Sequence, residues 1–191
     1  MKRFFTALCF TALIVVLNAQ DRFTDPRDGN VYRTVNIQGV TWMAENLRYK
    51  APEGAYYFEN NPNNAQQYGM LYDWKTATKA CPPGWRLPTG DEFRILISNN
   101  EVKEALQTKQ AEPGTYNVQL AGMQDYEGNF TEMDESGYYW TSTEYDENNA
   151  EYFSFVTVFN APVADISRKE DMEDLHGTEK TNKYSVRCIK K

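Results

Sequence analysis

One histidine, three cysteines and 27 carboxylates bound the chemistry open to this chain. His176 is the single imidazole and lies in an acidic, polar stretch. A Ser-His-Asp or Cys-His triad needs a positioned imidazole, and the sequence has no Gly-x-Ser-x-Gly elbow to present a serine. His176 therefore reads as an exposed loop residue. Zinc usually takes several His or Cys ligands, and neither a Gly-rich phosphate loop nor a dinucleotide fingerprint occurs. Glycoside hydrolysis needs only two facing carboxylates. A hydrolase is thus retained as the least favoured reading, with most of the acids taken as solvated surface charge. No catalytic residue is assigned, and the chain is expected not to be an enzyme.

Calcium is the one cofactor the residues admit, because it binds through carboxylate and amide oxygens. Asp146-Glu147-Asn148-Asn149 lies between two expected strands, which makes Asp146, Glu147 and Asn148 candidate calcium ligands. Asp165, Glu170, Asp171, Glu173 and Asp174 form a second acidic stretch. A solvated loop is the competing reading of both. Asp25 to Asn30 fails as an EF-hand loop: with Gly29 sixth, Thr24 and Pro26 fall at positions that need oxygen ligands. Aromatics are the other lead, at 14% of residues with 13 tyrosines. Sugars stack on exposed aromatic faces, and the same side chains dominate protein–protein hot spots. Tyr126, Tyr138 and Tyr145 fall at turns or strand ends, where they would be presented. With Glu144 and Asp146 they make up the candidate ligand-binding set. Trp42, Trp74, Trp85 and Trp140 read as core. Arg86 reads as structural, its guanidinium satisfying carbonyls or a carboxylate under the core.

The frame for these residues is 191 long, 41% hydrophobic and 25% charged, ordinary values for one soluble domain. A formal charge of −7 argues against nucleic acid, which is bound by neutralising phosphates. Met1-Lys2-Arg3, the apolar run Phe4 to Leu17 and Leu17-Asn18-Ala19 form the three-part pattern of a signal peptide. We place it at residues 1–19, followed by one domain at 20–191. A single N-terminal anchor is the alternative, although the run is short for a bilayer. No other segment is apolar enough to span, so the mature chain has no transmembrane segment. The expected location is secreted, at the cell surface or on the periplasmic face of the outer membrane. Cys9 leaves with the leader; the remaining pair, Cys81 and Cys188, implies a disulfide in an exported chain. It would close a loop of about 107 residues, worth up to ~4–5 kcal/mol in the chain-entropy model. Two buried thiols are the alternative.

Period-two alternation from Val31 to Ile37, the Gln38-Gly39 turn and the return over Val40 to Met43 predict a hairpin. Ala51 to Gln67 reads as a loop with a short strand at Tyr56 to Phe58. Leu71 to Ala80 reads as a helix stopped by Cys81-Pro82-Pro83-Gly84. Thr89-Gly90-Asp91-Glu92 is a capping box that opens a helix to about Ile97, extended by a further turn or two after Glu101. Strands are expected over Tyr116 to Met123, Tyr138 to Thr143, Tyr152 to Phe159, Val163 to Ser167 and Tyr184 to Ile189. Glu127-Gly128-Asn129 turns the chain between the first two. The expected class is α+β, two helices segregated from a small irregular antiparallel sheet.

Five collinear motifs carry a resemblance. They are Asn30-Val31-Tyr32 with Trp42-Met43-Ala44-Glu45-Asn46-Leu47; Tyr68-Gly69-Met70-Leu71-Tyr72; Cys81-Pro82-Pro83-Gly84-Trp85-Arg86-Leu87-Pro88-Thr89; Tyr139-Trp140-Thr141-Ser142-Thr143-Glu144; and Ser185-Val186-Arg187-Cys188. Over roughly Asp25 to Ile189 the chain resembles the Fibrobacter succinogenes major paralogous domain family. That resemblance implies a C-type lectin-like fold, termini brought close together, and a disulfide from the first helix to the last strand. It also implies a secreted or surface protein of a bacterium. The calcium-dependent sugar triplets of true C-type lectins are missing, as is a spare cysteine pair like that of the formylglycine-generating relatives. Neither activity carries over. The expected function is an exported, non-enzymatic module that binds a glycan or an envelope protein through loops between Asp125 and Asp174. The alternative is an accessory or structural subunit of an outer-membrane or cell-surface assembly.

Overall fold

The hairpin forms where the alternation places it. Strand β2 (Val31–Ile37) turns at Gln38-Gly39 into β3 (Val40–Met43), with Val35 opposite Trp42 and Ile37 opposite Val40. The computed structural model describes residues 21–100, 102–103, 116–158, 161–166 and 178–191. The expected leader, His176, Glu170, Asp171, Glu173 and Asp174 lie outside the described residues.

Two sheets organise the rest. The first has five strands in the order β1 (Arg22–Thr24), β2, β3, β14 (Ile189–Lys190), β6 (Trp85–Arg86). The second is built on two long strands, β9 (Ser136–Glu144) and β10 (Asn149–Val158), paired antiparallel. It runs in the order β11 (Ala161–Ile166), β10, β9, β13 (Tyr184–Ser185), β5 (Leu71–Tyr72), β4 (Ala55–Tyr56). Strand β12 (Thr178–Glu179) adds to β10, and β7 (Ala121–Gln124) joins β9 in parallel while pairing antiparallel with β8 (Phe130–Met133).

These pairings correct the expected class. The described residues are mostly β, in two curled sheets of antiparallel and mixed pairing with three short helices. They do not form a two-helix, C-type lectin-like α+β fold. The helix expected from Leu71 begins three residues later. Asp73 adopts an extended conformation and caps α2 (Trp74–Ala80), its carboxylate accepting from the Thr76 N–H at 2.8 Å, which frees Leu71 and Tyr72 to pair as β5. Helix α1 (Asn64–Tyr68) has no buried residue, so its sequence carries no helical stripe. The strand expected from Tyr116 starts only at Ala121.

Alternation along β9 makes the second sheet a partition between two cores. Trp140 faces a core with Tyr72, Tyr184, Val186, Met43 and Leu47. Tyr139 faces the other, with Phe153, Phe155, Phe93 and Trp42. Trp42, Trp85 and Trp140 are buried as expected, whereas Trp74 is partly exposed. The Cys81–Cys188 disulfide is present, its Cα atoms 5.9 Å apart, and joins the end of α2 to the chain entering β14.

The capping box forms as read and opens α3 (Gly90–Ser98). Thr89 Oγ1 accepts from the Glu92 N–H at 3.2 Å, and the Thr89 N–H donates to Glu92 Oε2 at 2.8 Å. Arg86 donates to both oxygens of the same carboxylate, at 2.7 and 2.5 Å, which confirms its structural role. Burial acts to raise the Glu92 pKa, but the Arg86 and Thr89 hydrogen bonds and the Arg86 charge outweigh it and hold the group below the ordinary 4.5. A depressed folded-state pKa contributes stability that is present above the unfolded value and is lost as pH falls through the folded one. Glu92→Gln is therefore expected to lower the stability at pH 7 by about 1 kcal/mol. The gap from wild type should close on acidification below the ordinary carboxylate pKa. Thermal melts of both proteins from pH 7 to pH 3 check this; a gap that persists in acid would place the effect elsewhere.

Candidate functional site

Period two in β9 and β10 puts Tyr138 and Tyr152 on the same face as Trp140, because Tyr152 lies opposite Trp140 and Ser154 opposite Tyr138. Tyr184 from β13 packs beneath them. Its ring centroid is 4.5 Å from that of Trp140, 5.3 Å from Tyr138 and 5.4 Å from Tyr152. Trp140 and Tyr184 are buried, and Tyr138 and Tyr152, 6.2 Å apart, are half-buried. The result is an aromatic layer with a rigid base and a solvent-facing rim.

Polar groups fix the rim. The Tyr138 hydroxyl donates to Glu132 Oε2 at 2.6 Å, and burial first, then Glu132, pushes its pKa well up. It stays a neutral donor at physiological pH. Tyr184 and Thr178 share a hydroxyl–hydroxyl bond of 2.8 Å, and Asn182 Nδ2 donates to Thr178 Oγ1 at 2.7 Å. Tyr126 stands at the β7–β8 turn, 59% exposed. The turn is braced by Asp125, which accepts from the Asn129 N–H at 2.8 Å and from Asn129 Nδ2 at 2.9 Å. Gly128 takes φ +95°, a conformation that favours glycine. Glu127 chiefly, with Glu179 contributing, raises the Tyr126 pKa.

The 145–148 loop is closed from within. Asp146 Oδ1 accepts from the N–H groups of Asn148 and Asn149, both at 2.8 Å, and Asn149 Nδ2 donates to both carboxylate oxygens at 3.1 Å. These bonds, Asn149 first, lower the Asp146 pKa, with a further contribution from the Lys180 charge. A cation does sit among the loop oxygens, and it is the chain's own. Lys180 Nζ donates to Glu144 Oε1 at 2.5 Å and to the carbonyls of Asp146 and Glu147 at 2.6 and 2.8 Å. It also lies 4.8 Å from the Trp74 ring centroid. Among the described residues no group of three or more His, Cys, Asp or Glu is placed to hold a metal.

Tyr138, Glu144 and Asp146 thus border one stretch of chain, Thr178 to Tyr184, through Tyr184 and Lys180. Tyr145 is half-buried, and its N–H donates to the Asn149 carbonyl at 3.1 Å. Glu147 and Asn148 are exposed at the loop tip, where the Glu147 carbonyl faces Lys180. The sequence reading missed Tyr152, Tyr184, Glu132 and Lys180. Alternation in Tyr152-Phe153-Ser154-Phe155 was signal enough for Tyr152. Lys180 sits in a charged, aperiodic stretch with no signal of its own.

No helix among the described residues is long and apolar enough to cross a membrane. No curated protein and no solved structure matches the chain. Residues 35–190 match the model of the Fibrobacter succinogenes major domain. That span runs from the hairpin to the last strand and takes in the braced turn, the tyrosine layer and the lysine-closed loop, so the chain belongs to the Fibrobacter succinogenes major domain family.

Proposed function

We propose that the chain is an exported, non-enzymatic binding module whose tyrosine face takes a saccharide, acting in the secreted space, at the cell surface or on the periplasmic face of the outer membrane. One observation carries the reading: half-buried Tyr138 and Tyr152 are laid on buried Trp140 and Tyr184, and Tyr126 stands 59% exposed at the β7–β8 turn. Sugar C–H faces stack on such rings. Glu132 and Glu127 at the edge can accept from sugar hydroxyls. Binding without calcium is supported by the Lys180 ammonium on the Glu144 carboxylate and the Asp146 and Glu147 carbonyls. The large exposed apolar side chains among the described residues are Val31 on β2, Ile95 on α3, Tyr126 in the β7–β8 turn and Val163 on β11.

A glycan array followed by calorimetry on the best neutral oligosaccharide tests the proposal. Tyr126→Ala and Tyr152→Ala are each expected to weaken binding by about two- to tenfold. Excess chelator should leave affinity and melting temperature unchanged. Absence of binding to any glycan, or affinity indifferent to both substitutions, overturns the saccharide reading. Loss of binding in chelator restores calcium at Asp146, Glu147 and Asn148.

A further inference from the structure

Away from the tyrosine face, a concavity of about 420 Å³ opens between the 49–54 loop and α2, lined among others by Arg27, Tyr49, Pro52, Glu53, Lys75 and Lys79. Its walls are fixed. The Tyr72 hydroxyl donates to the Tyr49 carbonyl at 2.6 Å, and the Asp73 N–H donates to the Gly54 carbonyl at 3.2 Å. Gly54 takes φ +69°, and a Cβ there would lie 2.0 Å from Thr76 Oγ1, so the loop lies directly on the helix.

Three basic side chains line the groove, one of them already paired with a carboxylate. Arg27 is held along one edge by Asp25, with Nε to Oδ1 at 3.0 Å and Nη2 to Oδ2 at 2.7 Å, and Asp25 is itself fully buried. One face of the guanidinium lies on Tyr49, its carbon 3.7 Å from the ring centroid. These restraints leave Nη1 with no partner among the described residues, on a cation that cannot swing away. Lys75 and Lys79 are exposed four residues apart on one face of α2, and no carboxylate among the described residues pairs with either. Of the acids at the groove, Asp73 is committed to the α2 cap. Glu53 is exposed at the rim and holds no side-chain bond among the described residues. Arg27, Lys75 and Lys79 line one concavity with Glu53 and Asp73, and the two lysines are its cations with no carboxylate partner among the described residues.

We propose that this groove binds an acidic saccharide unit of the uronate type. The carboxylate would lie between Lys75, Lys79 and the Arg27 Nη1 edge, where a planar guanidinium suits it. Ring hydroxyls would donate to Glu53, which a simple inorganic anion has no donor to use. The inference is independent of the tyrosine face: it needs neither Tyr126 nor Tyr152.

The test is an isotope-resolved NMR titration of the whole mature chain with oligogalacturonate, a neutral oligosaccharide and sulfate, at equal ionic strength. Oligogalacturonate is expected to shift the Gly54, Thr76 and Lys79 amides. The Lys75→Ala/Lys79→Ala double variant alters only exposed side chains and should weaken that binding by about three- to thirtyfold. Glu53→Gln should weaken it less, and Tyr126→Ala not at all. No shift in the groove, or affinity unchanged in the double variant, overturns the proposal. Sulfate binding as tightly as oligogalacturonate marks a general anion patch and overturns the saccharide assignment. Loss of groove binding in Tyr126→Ala would show one joint site and overturn the claim of independence.

Discussion

Replacing Cys81 and Cys188 with alanine is expected to lower the unfolding free energy by about 3–5 kcal/mol. The bond spans 107 residues, a loop long enough for chain entropy alone to supply a stabilisation of that order. Its position adds to the effect. The stretch Tyr184 to Lys190 passes from one sheet to the other: β13 pairs with β5 and β9 in the second, and β14 pairs with β3 and β6 in the first. Between them the Leu47 N–H donates to the Val186 carbonyl at 2.8 Å and the Met43 N–H to the Cys188 carbonyl at 2.9 Å. Cys188 is fully buried at that crossing, and Cys81 ties it to the end of α2. Each of the two strands there is two residues long and cannot persist alone. Urea melts of the wild type and the double variant give the difference from the midpoints. A loss below about 1 kcal/mol would show that packing alone holds the crossing.

That crossing also explains how the sequence was legible in some places and silent in others. Strong local chemistry was readable: the Gln38-Gly39 hairpin, the Thr89–Glu92 box and the cysteine pair each rest on residues close in sequence or on a count. Strands of two residues carry no period, so β5 and β6 were not read, β4 was read one residue late, and β13 and β14 were read as one strand, which hid the two-sheet architecture. The error at Leu71 to Ala80 has one cause. Spacing at Leu71, Trp74 and Ala77 fits a helical face, but Asp73 is a better cap than a helix interior residue, and the structure obeys the cap. At the candidate site, turn chemistry exposed Tyr126, and position at a strand end nominated Tyr138. Glu144, Asp146 and Lys180 meet only through tertiary pairing, since Lys180 reaches back more than thirty residues. An oxygen-rich loop and a lysine-closed loop look alike until the lysine is placed.

Arg187→Ala is expected to be as damaging as loss of the disulfide, for a different reason. Arg187 is 0% exposed, and among the described residues it makes no ion pair with a carboxylate. Its charge is met by oxygen dipoles and rings. Nε and Nη2 donate to Asn46 Oδ1 at 3.2 and 2.5 Å, Nη2 donates to the Asn117 carbonyl at 2.8 Å, and Nη1 reaches the Met43 carbonyl at 3.4 Å. The guanidinium carbon stands 4.5 Å from the Tyr116 ring centroid and 5.7 Å from that of Tyr139. Asn46 is equally buried and extends the network, its Nδ2 donating to the Tyr68 carbonyl at 2.9 Å and to Ser185 Oγ at 3.1 Å. Two motifs far apart in the chain, the one ending Asn46-Leu47 and the one at Ser185 to Cys188, are therefore halves of one buried device. Truncating the arginine strands Asn46 Oδ1 and the Asn117 carbonyl without donors and opens a cavity between two rings, at a cost of about 3–5 kcal/mol. Arg187→Lys should recover only part of this, because a single ammonium does not reproduce the fork that reaches Asn46 and Asn117 together. The decisive measurement is a double-mutant cycle with Asn46→Ala by chemical denaturation. Coupling above about 1 kcal/mol is expected for groups in one network. Additivity within about 0.5 kcal/mol would mean that the two residues stabilise the fold separately.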